Sequence, residues 1–133
     1  MKKIVIAGSI SFQDHYNMWI DYWQDRGFEV IDYPVRINSQ TFKQDYPGVF
    51  RRFFDNIQKA DILFVFNEDK NGIGGYIGAE SFAEMAFAVH QKLSGKDINI
   101  ILFKQPSEQV QSFDEVSLWI ELGWATILER NEG

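Results

Sequence analysis

The chain has 133 residues, enough for one domain that buries roughly two thirds of its extended surface. Its formal charge of −6 leaves no basic field to attract phosphate backbones or anionic membranes, so neither nucleic acid nor membrane is expected as a partner. Cysteine is absent and histidine is limited to His15 and His90, which excludes disulfides, thiolate metal sites and multi-histidine centres; no metal and no cofactor are expected.

The first strand is expected from Lys3 to Ala7, a short β-branched run ending at Gly8-Ser9. Being so short, this opening run does not read as a signal peptide, no later stretch reaches the length of a membrane span, and a cytoplasmic location is expected. A helix follows from about Asp14 to Arg26, with Met18, Trp19, Tyr22 and Trp23 at helical spacing, Ser11 or Asp14 as its cap and Gly27 as its stop. Phe28 to Tyr33 reads as a second strand ended by Pro34. Val35 to Gly48 is polar and holds Pro47, so a loop is expected there, before a helix from Val49 to Lys59 on the pattern Val49, Phe50, Phe53, Phe54, Ile57.

Asp61 to Phe66 is an apolar run of the kind buried on both faces of a parallel sheet. A glycine-rich loop, Gly72-Ile73-Gly74-Gly75-Tyr76-Ile77-Gly78, leads from it to a helix over about Gly78 to Leu93. Ile98 to Phe103 gives a fourth strand and Ser112 to Leu122 a short helix with capping-box spacing at Ser112-Phe113-Asp114-Glu115. Trp124 to Leu128 completes a fifth, edge strand. The order β-α-β-α-β-α-β-α-β predicts one α/β domain over 1–133, flavodoxin-like or Rossmann-like, with a parallel five-stranded sheet in the order 2-1-3-4-5 and helices on both faces. In such a fold ligands sit at the carboxyl ends of the strands, at the switch between strands 1 and 3.

Two loops meet at that switch point, Gly8-Ser9-Ile10 and the longer Asn67 to Gly78. Neither matches a dinucleotide or Walker fingerprint. Glu80 and Glu84, four apart, share one face of the third helix at about 5–6 Å, close enough to raise at least one pKa. With Phe82, Met85, Ala86, Val89 and Leu93 taken as the inward stripe, Glu84 points away from the sheet alongside Ala83, Phe87 and Ala88. That mixture is too apolar for plain solvent; a pocket wall or a subunit contact would account for it, and cover by a second subunit, in a homodimer or higher homo-oligomer, is expected. Asn67 stands where strand 3 leaves the sheet, a position suited to a ligand contact or to an Asx turn.

Ile6-Ala7-Gly8-Ser9-Ile10, Ala60-Asp61-Ile62, Gly75-Tyr76-Ile77-Gly78 and Ser81-Phe82-Ala83-Glu84-Met85-Ala86-Phe87-Ala88 together resemble the nucleoside 2-deoxyribosyltransferase superfamily and its relatives, the 2′-deoxynucleoside 5′-phosphate N-hydrolases. The resemblance implies cleavage or transfer at an N-glycosidic bond of a nucleoside or nucleotide, with Glu84 as nucleophile, Glu80 assisting the leaving base, and Gly8, Ser9, Ile10, Phe12, Asn67, Gly78 and Ser81 lining the substrate pocket. The alternative is a non-catalytic nucleotide-binding or regulatory domain of the same fold.

Overall fold

A computed structural model describes residues 1–129. The strands are β1 (Lys2–Gly8), β2 (Phe28–Asp32), β3 (Ile62–Phe66), β4 (Asn99–Leu102) and β5 (Thr126–Ile127). All pair in parallel, in the order β2-β1-β3-β4-β5, as the alternation of elements predicts. The central strands are the apolar runs: Ile4 to Ala7 and Ile62 to Phe66 are buried along their length, because helices cover both faces of the sheet.

One face packs on α1 (Gln13–Asp25). Tyr16, Trp19 and Trp23 recur at helical spacing and meet Ile4, Ile6, Phe64 and Phe66, the alternate residues of β1 and β3. The other face carries α2 (Phe42–Lys59), α3 (Ala79–Leu93) and α4 (Phe113–Glu121), which contribute Phe53, Ile57, Met85, Ala88, Val89 and Val116 against Val5, Leu63, Val65 and Ile100. Among the described residues no helix is long and apolar enough to cross a membrane.

Three local expectations are corrected. First, α2 begins at Phe42 rather than Val49 and runs through Pro47. The proline removes one backbone donor near the helix start, where few carbonyls precede it. An aromatic ladder at four-residue spacing compensates: Phe42–Tyr46, Tyr46–Phe50 and Phe50–Phe54 have ring centroids 5.4, 5.8 and 4.6 Å apart. Second, α1 is capped by neither Ser11 nor Asp14. A 3-10 turn over Ile10–Phe12 precedes it, and Ser9 caps that turn by accepting the Ser11 amide. Third, Ser112 makes no capping bond to α4, and among the described residues its buried hydroxyl has no partner.

Candidate functional site

The carboxyl ends of β1 and β2, the first half of α2 and the first turns of α3 enclose a cavity of about 470 Å³. Gly8, Ser9 and Ile10 form one wall, and Gly78, Glu80, Ser81 and Glu84 form another. Phe42, Tyr46 and Phe50 of the α2 ladder supply a third, aromatic wall. Lys70 closes the side between the two βα loops: its Nζ donates to Ser9 Oγ at 3.0 Å and lies 5.0 Å from the Tyr76 ring centroid.

The β1 loop comes close to the sheet because position 8 has no side chain. A Cβ on Gly8 would overlap the Tyr16 hydroxyl, which donates to the Ser9 carbonyl at 2.6 Å. Burial, and then the charge of Glu84, raises the Tyr16 pKa, so this phenol keeps its proton and its role as donor.

Glu84 faces inward, which corrects the expected outward orientation. The buried side of α3 is Ser81, Glu84, Met85, Ala88 and Val89, not the stripe taken from the sequence. The difference arises because Phe82 turns aside to stack on Trp119 at 5.3 Å and Leu93 stands exposed beyond the sheet. Phe87 and Ala88, expected under a second subunit, are covered within the chain: Phe87 meets Phe54 at 5.1 Å and Ala88 is fully buried. That face therefore supplies no argument for a dimer.

Glu84 is 6% exposed, and among the described residues its carboxyl has no hydrogen-bond partner. Burial raises its pKa to about 8, with Glu80 and then Asp32 adding to the rise. At neutral pH the group is mostly a protonated acid. Glu80 is exposed and lies beside the Tyr46 hydroxyl, whose own pKa is raised by desolvation first and then by Glu80 and Glu84. Asp32, at the end of β2, does not line the cavity but adds its charge to those acting on Glu84. It is buried but partnered, accepting from Asn56 Nδ2 at 2.9 Å and lying 3.4 Å from Arg52 Nε.

Two expected site residues lie elsewhere. Phe12 is a core residue, its ring 5.3 Å from Phe66. Asn67 does not line the cavity. Its side chain clamps backbone, donating to Lys104 O at 2.7 Å and Gly75 O at 3.4 Å while accepting from Lys104 N at 3.1 Å. It thereby ties the end of β3 to the chain after β4 and to the glycine loop. Lys104 extends this clamp through ion pairs to Glu68 and Asp69 at 3.0 and 3.1 Å. The Gly75 amide and then Lys104 hold Asp69 below its usual range.

The residues missed by sequence reasoning are Asp32, Lys70 and the ladder Phe42, Tyr46 and Phe50. The ladder had a signal in its four-residue spacing, masked by reading Pro47 as a loop residue. Among the described residues, no three His, Asp or Glu side chains converge on a metal position.

No protein-family model matches the chain, and no curated protein sequence does. Among solved structures, the crystal structure of the RPS4 and RRS1 TIR domain heterodimer is similar at 12% identity, with a TM-score of 0.51 over 99% of this chain and 85% of that one. At this identity the likeness is one of fold. It corrects the resemblance to nucleoside 2-deoxyribosyltransferases and N-hydrolases, which rested on short stretches, whereas the likeness to TIR domains spans the chain. The expected N-glycosidic cleavage or transfer by a Glu84 nucleophile falls with it, as do the transferase and hydrolase descriptions and the nucleotide-binding alternative. The geometry agrees: an acid held protonated near neutral pH is not a ready carboxylate nucleophile.

Proposed function

We propose that this chain is a ligand-binding domain of TIR-like architecture that holds a small organic molecule in the cavity between β1, α2 and α3. One observation carries the reading: the Glu84 carboxyl is buried at the cavity wall without a hydrogen-bond partner among the described residues. A buried polar group left unpaired is costly, and a ligand that supplies the missing partner recovers that cost. The cavity volume falls in the range of small-molecule sites, and a largely apolar wall with a few convergent polar groups is their usual composition. Glu84, Glu80, Ser81 and the Gly8-Ser9-Ile10 loop are the proposed contacts.

A thermal-shift screen of small polar and aromatic compounds tests the reading, with hits repeated on Ser81→Leu, which places bulk inside the cavity. Hits that raise the melting temperature of the wild-type protein and vanish in a folded Ser81→Leu variant support it. Hits that survive that substitution, or a screen without any, count against it.

A second reading concerns protein partners. One similar solved structure is a heterodimer of TIR domains. On this chain Leu118 of α4 and Leu122, the residue that caps its end, are 49% and 51% exposed. We propose that a protein surface, either a second copy or a related domain, packs on this face. Light scattering on the wild type and on Leu118→Glu/Leu122→Glu tests self-association. A mass above the monomer that falls to the monomer in the variant supports the second-copy form, and a wild-type monomer at high micromolar concentration rejects it.

A further inference from the structure

We propose that the ligand of this cavity is an organic ammonium ion, its charged nitrogen placed between Glu84 and Glu80 and its apolar body laid against Phe42, Tyr46 and Phe50. This inference rests on the ligand-binding reading above and specifies the chemistry of that ligand.

Two carboxyl groups from the start of α3, Glu80 and Glu84, line one end of the cavity, and Asp32 at the end of β2, outside the lining, adds its charge to theirs; among the described residues only Asp32 is paired with a cation. Arg52 from α2, with Asn56, is engaged with Asp32. The charges that act on Glu84 are those of Glu80 and Asp32, and among the described residues no cation offsets them. The remaining charged or titratable groups around the cavity do not change this. Lys70 is turned to Ser9 Oγ, Arg36 lies on the wall formed by the chain after β2, and Tyr16 and Tyr46 are phenols that keep their protons. The result is a nine-tenths buried carboxyl that, among the described residues, has no hydrogen-bond partner and no neighbouring cation at the acidic end of the cavity.

A neutral hydroxyl would satisfy a hydrogen bond to the protonated Glu84 but leave Glu80 without a counter-charge. An ammonium group does more, supplying the counter-charge that lets Glu84 ionise and donating to both carboxylates. The aromatic wall fits the same ligand, since ring faces attract cations and bury hydrocarbon stems. Ammonium binding requires Glu84 to ionise, so each binding event releases one proton below the Glu84 pKa. An alkylammonium, like lysine, stays charged throughout that range.

The test compares phenethylamine with its neutral counterpart 2-phenylethanol by titration calorimetry on the full chain between pH 6 and 8.5. Phenethylamine should bind more tightly, and its affinity should rise roughly tenfold per pH unit below about pH 8, then level off. Glu84→Gln should weaken binding at pH 8 and flatten the pH profile, while Glu80→Gln should weaken binding and keep the slope but level off at lower pH, because Glu80 adds to the rise of the Glu84 pKa. Equal, pH-independent binding of the two probes overturns the ammonium assignment and leaves the cavity as a ligand site. If neither probe binds and the wider compound screen finds nothing, both readings fall.

Discussion

Asn67 grips Lys104 from both sides, its Nδ2 donating to the Lys104 carbonyl at 2.7 Å and its Oδ1 accepting the Lys104 amide at 3.1 Å. One side chain thus does for two adjacent loops what a strand ladder does for the sheet. Replacing it with alanine strands a donor and an acceptor in a half-buried place. Asn67→Ala should cost about 3 kcal/mol by urea denaturation. A cost under about 1 kcal/mol would show that water replaces the clamp.

Gly8 and Tyr16 form a second coupled pair. A methyl group at position 8 would meet the Tyr16 hydroxyl and, at 3.1 Å, the Phe66 carbonyl. Gly8→Ala should therefore destabilise by about 1–3 kcal/mol. Tyr16→Phe removes the oxygen in the way, so the same alanine should cost less in that background. A double-mutant cycle measures the difference, and strict additivity would mean that the two positions do not touch.

The glycine-rich loop separates two reasons for glycine. Gly72 and Gly75 both have positive φ, 77° and 63°, but only at Gly75 would a Cβ run into backbone, 2.7 Å from Gln105 O and Pro106 Cα. Gly72→Ala should cost about 1 kcal/mol, the strain of a left-handed alanine. Gly75→Ala should cost at least twice that, because neither the Gln105 carbonyl nor Pro106 can swing aside. Similar melting temperatures for the two variants would contradict this.

The buried acid makes stability depend on pH in a direction opposite to that of most carboxylates. Burial pushes the Glu84 pKa up to about 8 in the folded chain, against an ordinary value of 4.5. Between those values the folded state holds a proton that the unfolded state has lost. Its contribution is complete below about pH 4.5 and lost as pH rises through 8. Glu84→Gln removes the titration and keeps the shape. The variant should gain on the wild type as pH rises, by on the order of 3 kcal/mol between pH 5 and 8. Denaturation curves that keep a constant gap across that range would show that Glu84 is ionised in the folded protein.

The sheet was legible because its central strands are uninterrupted apolar runs, Ile4 to Ala7 and Ile62 to Phe66, set between helical patterns of clear period. The first turns of α2 were not, since Pro47 is a strong breaker by itself and its compensation comes from rings on neighbouring turns. The orientation of α3 was misjudged because a stripe of large residues does not reveal which of them a neighbouring helix will claim. Phe82 goes to Trp119 and Phe87 to Phe54, leaving Glu84 on the inner side. The glutamates and the two loops were found as one neighbourhood, but Asn67 and Phe12 were assigned to ligand contact when their surroundings use them for clamping and packing. Short motif likeness around Glu84 suggested a chemistry that the whole-chain comparison does not carry.

The protonation state of the Glu84 carboxyl decides whether the cavity needs a ligand to partner it, and carbon-13 NMR of that side chain reads it directly. A pH titration of the wild-type protein, assigned by comparison with Glu84→Gln, should show the Glu84 Cδ resonance moving with a midpoint near 8. A midpoint near 4.5 would mean that Glu84 already has water or a cation as its partner, and would contradict the claim that a ligand must supply one.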